Sequence, residues 1–234
     1  MKENIGIIIE ARLNSSRLPN KHLKVVSNKP IIAHLFTRLK KVKNVSKIIL
    51  ATTINKEDDK LELLAKKNNI HVYRGSELNV KKRVIEAAKK FKIKTIISIT
   101  ADCPLIDISI INDCLNNFAI NDIEYINNLE TQGLPGGMNC QIFYTKTLIK
   151  SYKLCKKTKQ NLEHPTLFIL RNKRLFKTFS LFPNKNLLYP NLRFELDTIE
   201  DLEEMKKISN YFNIKKIKFS NITCLELINY SKIK

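Results

Sequence analysis

Short β-branched apolar runs occur at Ile5–Ile9, Ile48–Ala51, Ile70–Tyr73 and Thr95–Ile99, each bounded by polar residues. That is the signature of buried strands. Between them the apolar spacing changes to three and four residues. Pro30 suits the start of a first helix, with Ile32, Leu35, Phe36 and Leu39 as its stripe. A second helix carries Leu61, Leu64 and Ala65, with Glu57, Asp58 and Asp59 in its first turn to complement the dipole. A third carries Val84, Ile85, Ala88 and Phe91. This alternation predicts an α/β fold with a mostly parallel central sheet and right-handed crossovers. Ligands of such sheets sit beyond the carboxyl ends of the strands. The loops that start at Ala11, Arg74 and Ala101 then share one rim.

Beyond about residue 120 the rhythm loosens. The pattern predicts strands near Glu124–Asn127, Cys140–Tyr144, Leu175–Leu181 and Leu192–Leu196, and helices over 146–157, 162–171, 198–212 and 221–230. The stretch TQGLPGG, residues 131–137, holds three of the five glycines and reads as a loop. No low-complexity linker or internal repeat divides the chain, so residues 1–234 are expected to form a single domain with an elaborated second half.

Composition narrows the picture. With 234 residues, 43% of them hydrophobic, the chain can bury a core without disulfides or structural metal. No uncharged apolar run approaches the roughly 20 residues that span a bilayer. MKENIGIII reads as a strand rather than a leader, and the expected compartment is cytoplasmic. Five widely spaced cysteines without a CxxC pair read as buried, reduced thiols. The net charge of +20 suggests nucleic acid at first. The lysines are spread through every segment, however, which reads as a solvated surface, so nucleic acid is not the expected partner.

Three segments carry chemistry. EARLNSSRLPNKHL, residues 10–23, follows the first strand without a glycine, so side chains rather than backbone amides must meet any phosphate there. Arg12, Arg17 and Lys21 supply three positive charges at spacings of five and four, suited to a triphosphate. A solvated basic loop is the alternative. In TADCP, residues 100–104, Asp102 faces the same rim, either to hold Mg2+ beside phosphates or to satisfy a turn before Pro104. In FELDTIEDL, residues 194–202, Asp197 is a candidate helix cap. Thr198 with Asp201 can supply that cap instead and leave Asp197 free.

EARLNSSRLPNK, TADCPLID and LDTIEDL, in this order, resemble the acylneuraminate-type cytidylyltransferases, in particular the spore-coat-polysaccharide branch. RGSELNVKKRV at 74–84 and LEHPTLFILRN at 162–172 resemble further motifs of that branch. The likeness covers about residues 5–208. It implies a Rossmann-like, three-layer nucleotidyltransferase fold that uses CTP and Mg2+ to make a CMP-sugar or CMP-sugar acid, commonly as a homodimer. By the same resemblance, Ala11, Arg12, Ser16, Arg17 and Lys21 hold the nucleotide, and Arg74, Ser76 and Arg83 lie near the nucleoside. Asp102 and Asp197 become the metal ligands. Asn139, Gln141 and His164 fall on the acceptor side.

The chain departs from the branch in two places. Asn139 and Gln141 stand where the branch usually has carboxylates, and Asn79 replaces a usual Asp. Three other readings remain open at this level. They are a metal-dependent glycosyltransferase, a nucleotidyltransferase that uses another NTP, and a non-catalytic basic nucleic-acid-binding module. The first lacks its Asp-x-Asp pair, because Cys103 and Pro104 follow Asp102.

Overall fold

The computed structural model describes residues 4–129 and 133–233. The predicted parallel core is present. β1 (Ile5–Glu10) lies between β4 (Lys47–Thr53) and β6 (Thr95–Thr100), and β5 (His71–Gly75) lies outside β4, all parallel. Beyond β6 come β8 (Gln141–Tyr144), β7 (Tyr125–Asn127) and β9 (Thr178–Ser180), and β8 runs antiparallel to both of its neighbours. Sheet order is therefore β5-β4-β1-β6-β8-β7-β9. A two-stranded ladder, β2 (Val25–Val26) with β3 (Lys29–Pro30), stands apart.

Side-chain alternation along each strand sends residues to two helical layers. Ile7, Ile9, Leu50 and Ile97 pack with α1 (Ile31–Leu39), α2 (Asp59–Lys67), α4 (Ile108–Ile120), α8 (Ile199–Ile214) and α9 (Cys224–Lys232). Ile8, Ile49, Ile96 and Phe143 pack with α3 (Val80–Lys90), α5 (Thr145–Leu154) and α7 (Leu167–Arg171). This gives the Rossmann-like three-layer arrangement. All five cysteines are buried and unpaired, as expected. Among the described residues no helix is long and apolar enough to cross a membrane.

The second half corrects several boundaries. The helix expected over 162–171 is two short ones, α6 (Lys159–Glu163) and α7, because Pro165 forces His164 out of helical geometry, to φ −107° and ψ 98°. The strand expected over Leu175–Leu181 shortens to β9 behind a 3-10 turn at Lys173–Leu175. Leu192–Leu196 is extended but joins no ladder, and a lone bridge of Arg193 to Gly136 holds it. Helix α4 escapes the pattern reading, since its Asn, Asp and β-branched residues are weak helix formers. Its N-cap, Asp107, accepts from Ser109 N at 2.8 Å and from Cys224 N at 2.6 Å, which fastens α4 to α9. Of the 131–137 loop, Thr131 and Gln132 lie outside the described residues, as do Met1–Glu3 of the expected first strand.

Candidate active site

The loop after β1 is held from below. Asp58 is buried, and its carboxylate accepts from Leu13 N at 2.8 Å, Thr52 Oγ1 at 3.0 Å and Thr53 N at 3.2 Å. A residue whose expected task was to oppose a helix dipole instead staples the loop to the end of β4. Further along, Asn20 adopts φ 55° and ψ 29°. Asparagine is one of the few residues besides glycine that enters this left-handed region readily. The turn it makes possible sends Lys21 into a recess where the residue is only 9% exposed.

In that recess the two distant carboxylates meet. Leu196 N donates to Asp102 O at 2.8 Å, which sets the chain before Asp197 against the turn after β6. Behind it, Phe194 N donates to Gly136 O, and Gly137 takes φ +89° where a Cβ would lie 2.9 Å from Phe194 O. Only glycine fits there without strain. Lys21 Nζ then lies 2.8 Å from Asp197 Oδ1 and 3.4 Å from Asp102 Oδ2. Arg17 reaches Asp197 at 3.1 Å and Arg193 reaches it at 2.9 Å. Thr198 and Asp201 form a complete capping box for α8, so Asp197 is released from capping. Partial burial pushes the Asp197 carboxyl up, but Lys21, Arg193 and Arg17 together hold it below the usual range.

This donor set suits a hard divalent cation. Two carboxylates already converge on one ammonium, and Mg2+ favours one or two carboxylates with phosphate oxygens rather than an all-protein cage.

The cleft encloses about 1010 Å³. Ala11, Arg12, Ser16, Arg17, Lys21, Arg83, Asp102, His164 and Asp197 all line it. Four other candidates are outside that lining. Arg74 is spent on the rim, donating to Thr53 O, Asn55 O, Asp59 and Glu62. Ser76 accepts from Asn79 N at 3.1 Å, and its carbonyl holds Arg83 at 2.7 Å. The Oε1 atom of Gln141 accepts from Tyr125 and Thr166, which ties β8 to the start of α7. Asn139 sits in the segment before β8. Asn79, the departure from Asp, caps α3 by accepting from Lys82 N and so keeps the local geometry that presents Arg83.

Several cleft residues were not anticipated. Glu77 and Glu163 face Arg12 at 4.0 and 3.2 Å. Glu10 ends β1 at the cleft floor, where Ser98 Oγ donates to it at 2.9 Å. Burial pushes the Glu10 carboxyl up to about 7, with Asp102 adding to the rise and Ser98 and Arg83 opposing it. The available signal was a lone acid closing an otherwise apolar strand at the ligand rim.

Residues 6–230 match the family model described as cytidylyltransferase. The chain belongs to the cytidylyltransferase family. It is 34% identical over 215 residues to the uncharacterized protein MJ1063 of Methanocaldococcus jannaschii, covering 92% of this chain and 87% of that one. It is 27% identical over 209 residues to the spore coat polysaccharide biosynthesis protein SpsF of Bacillus subtilis, covering 88% and 86%. A cytidylyltransferase structure from Leptospira borgpetersenii superposes with a TM-score of 0.91 at 33% identity, over 98% of this chain and 94% of that one. Membership makes the protein a nucleotidyltransferase enzyme, which decides against the non-catalytic nucleic-acid module.

Proposed function

We propose that this cytidylyltransferase moves CMP from CTP to a hydroxyl of a sugar acid or related small acceptor, releases pyrophosphate and depends on Mg2+. The observation that carries the reading is the meeting of Asp102 and Asp197 on Lys21, at the mouth of the loop that bears Arg12, Ser16 and Arg17. Similarity to a polysaccharide biosynthesis protein supports a role in surface polysaccharide or glycan synthesis. The cleft draws on residues from 10 to 197, which supports one catalytic unit over the whole chain. The exposed edge strand β9, with Phe179 and nearby Phe182, supports a homodimer, and light scattering of Phe182→Lys against the parent protein tests that.

In this reading Ser16, Arg17 and Lys21 bind the triphosphate, and Asp102 with Asp197 hold the metal. The metal, when bound, supplies positive charge to phosphate oxygens. As the acceptor oxygen attacks the α-phosphorus and the bond to the β-phosphate oxygen breaks, Arg17 and Lys21 offset charge that grows on the leaving pyrophosphate. Arg83 rather than Arg74 faces the nucleoside, because Arg74 is committed to the rim. His164 contacts the acceptor from the exposed end of α6.

The deciding experiment measures pyrophosphate release from each NTP against a panel of acidic sugars, with and without Mg2+. CTP with one sugar acid and Mg2+ should give turnover. Thermal stabilisation by CTP with Mg2+, about 2.7 kcal/mol at a hundredfold excess over Kd, checks binding separately. Absence of both responses would overturn the reading.

A further inference from the structure

Asp197 meets three cations, and one of them differs from the other two. Lys21 Nζ lies 2.8 Å from its Oδ1, and Arg17 and Arg193 reach its Oδ2 at 3.1 and 2.9 Å. Lys21 and Arg17 line the cleft, so a triphosphate that enters it competes with Asp197 for both. Arg193 lines the groove beside the cleft instead, together with Glu195 and Asp201. Its guanidinium is held at each donor position. One terminal nitrogen donates to Glu195 at 2.6 Å, the other to Asp197 at 2.9 Å, and Nε lies 3.4 Å from Asp201 Oδ1. Both anchors are fixed in turn. Glu195 Oε1 accepts from Gly137 N at 3.0 Å, and Asp201 Oδ2 accepts from Asp197 N at 2.7 Å and Thr198 N at 2.9 Å. The backbone is pinned as well, because Gly136 N donates to Leu192 O and Phe194 N donates to Gly136 O, each at 2.8 Å. Arg17, by contrast, has a side chain 64% exposed, and Asp197 is its one ion-pair partner among the described residues.

A planar fork held at three corners sets the direction of the carboxylate it grips. With Oδ2 kept by Arg193, Oδ1 is the oxygen that becomes available once Lys21 turns to phosphate. We propose that Arg193 is a positioning residue, which keeps one oxygen of Asp197 and so presents the other to the divalent cation. The inference rests on Asp197 being a metal ligand, as in the proposed function. Partners that orient a ligating side chain typically change metal affinity about 10–100-fold. The sign is informative here. Arg193 is itself a cation, so if charge alone counted, its removal would tighten the binding of a divalent cation. A positioning role predicts the reverse.

Mn2+ binding to the intact protein, with an equivalent of CTP and no acceptor, tests this without turnover. Free Mn2+ is read by electron paramagnetic resonance against CTP alone as the baseline, at a temperature well below the melting transition of each variant. Arg193→Met should weaken Mn2+ binding about 10–100-fold. Arg193→Lys keeps the charge but not the fork, and its affinity should fall between that variant and the parent protein. Unchanged or tighter binding in Arg193→Met overturns the inference, because a purely structural or electrostatic role gives that result. Parent-like affinity in Arg193→Lys overturns it as well, and decides the matter if Arg193→Met does not fold. Mn2+ bound no more tightly by the parent protein with CTP than by CTP alone would defeat the metal reading in the proposed function, and this inference with it. Tight binding by the parent that Arg193→Met leaves intact defeats this inference alone.

Discussion

At the mouth of the cleft Lys21, Arg17 and Arg193 already pair with Asp102 and Asp197, whereas on its floor Glu10 and Arg83 face each other with no ion pair. Mouth pairs that include exposed side chains contribute little stability, typically about 0–1 kcal/mol each. In the proposed reading their value lies in holding cations where phosphate arrives. The floor works in the opposite sense. Its groups are recessed and incompletely bonded, with Ser98 as the donor to Glu10 and no partner for the buried Nε of Arg83. One end is therefore rich in paired charge, and the other in buried polar groups that meet few partners.

The largest expected effect comes from breaking the mouth. Asp102→Asn should lower pyrophosphate release by about 10²–10³-fold or more, with the thermal midpoint moved by no more than a few degrees. Steady-state kinetics beside a melting curve checks both. Lys21→Met should cost about 10²-fold in kcat/KM for CTP. It also leaves two carboxylates facing each other, at about 1–3 kcal/mol of stability. Asp197 is held low in the fold, so its contribution is present above the ordinary carboxylate range and lost as pH falls. Urea melts from pH 3 to pH 7 should show a smaller acid-side loss in Lys21→Met.

Glu10 should behave in the opposite direction. Its carboxyl keeps a proton to about pH 7 in the fold but only to its ordinary 4.5 in the unfolded chain. The folded state therefore binds more protons between those values, and stability falls as pH rises through that window. Glu10→Gln should flatten this loss, by about 1–3 kcal/mol across the window. If both Lys21→Met and Glu10→Gln altered the same pH limb, the contrast between mouth and floor would be broken. The smallest effect belongs to the turn. Asn20→Gly should keep activity and change stability by less than about 0.5 kcal/mol, whereas Asn20→Val should cost about 1–2 kcal/mol.

The regular first half was readable because burial repeats along it. Ile5–Ile9 and its sister runs alternate with three-and-four stripes, and each became the element that its period predicts. Arg12, Arg17, Lys21 and Asp102 could be assigned to one rim because parallel strands carry their following loops to the same edge. The spacing of Thr198 and Asp201 offered a capping box as an alternative to Asp197, and the structure decided for the box. The second half resisted because its segments follow no repeating burial. Leu192–Leu196 looks like a strand, but its partners are one carbonyl at Asp102 and one glycine at 136. Arg74 and Arg83 are both arginines in one motif, and only their neighbours send one to the rim and the other to the cleft.

The sequence by itself determined the layers and the inventory of charges, since both follow from local periodicity and from which residue follows which strand. Tertiary structure alone decided which charges meet. Lys21 and Asp197 are separated by most of the chain, and their contact depends on a left-handed turn at Asn20, a bond from Leu196 to Asp102 and a glycine that lets Phe194 approach. Glu10 and Arg83 likewise acquire their character from burial and from the few partners that reach them, Ser98 for one and the Ser76 carbonyl for the other, and no single stretch of sequence encodes either.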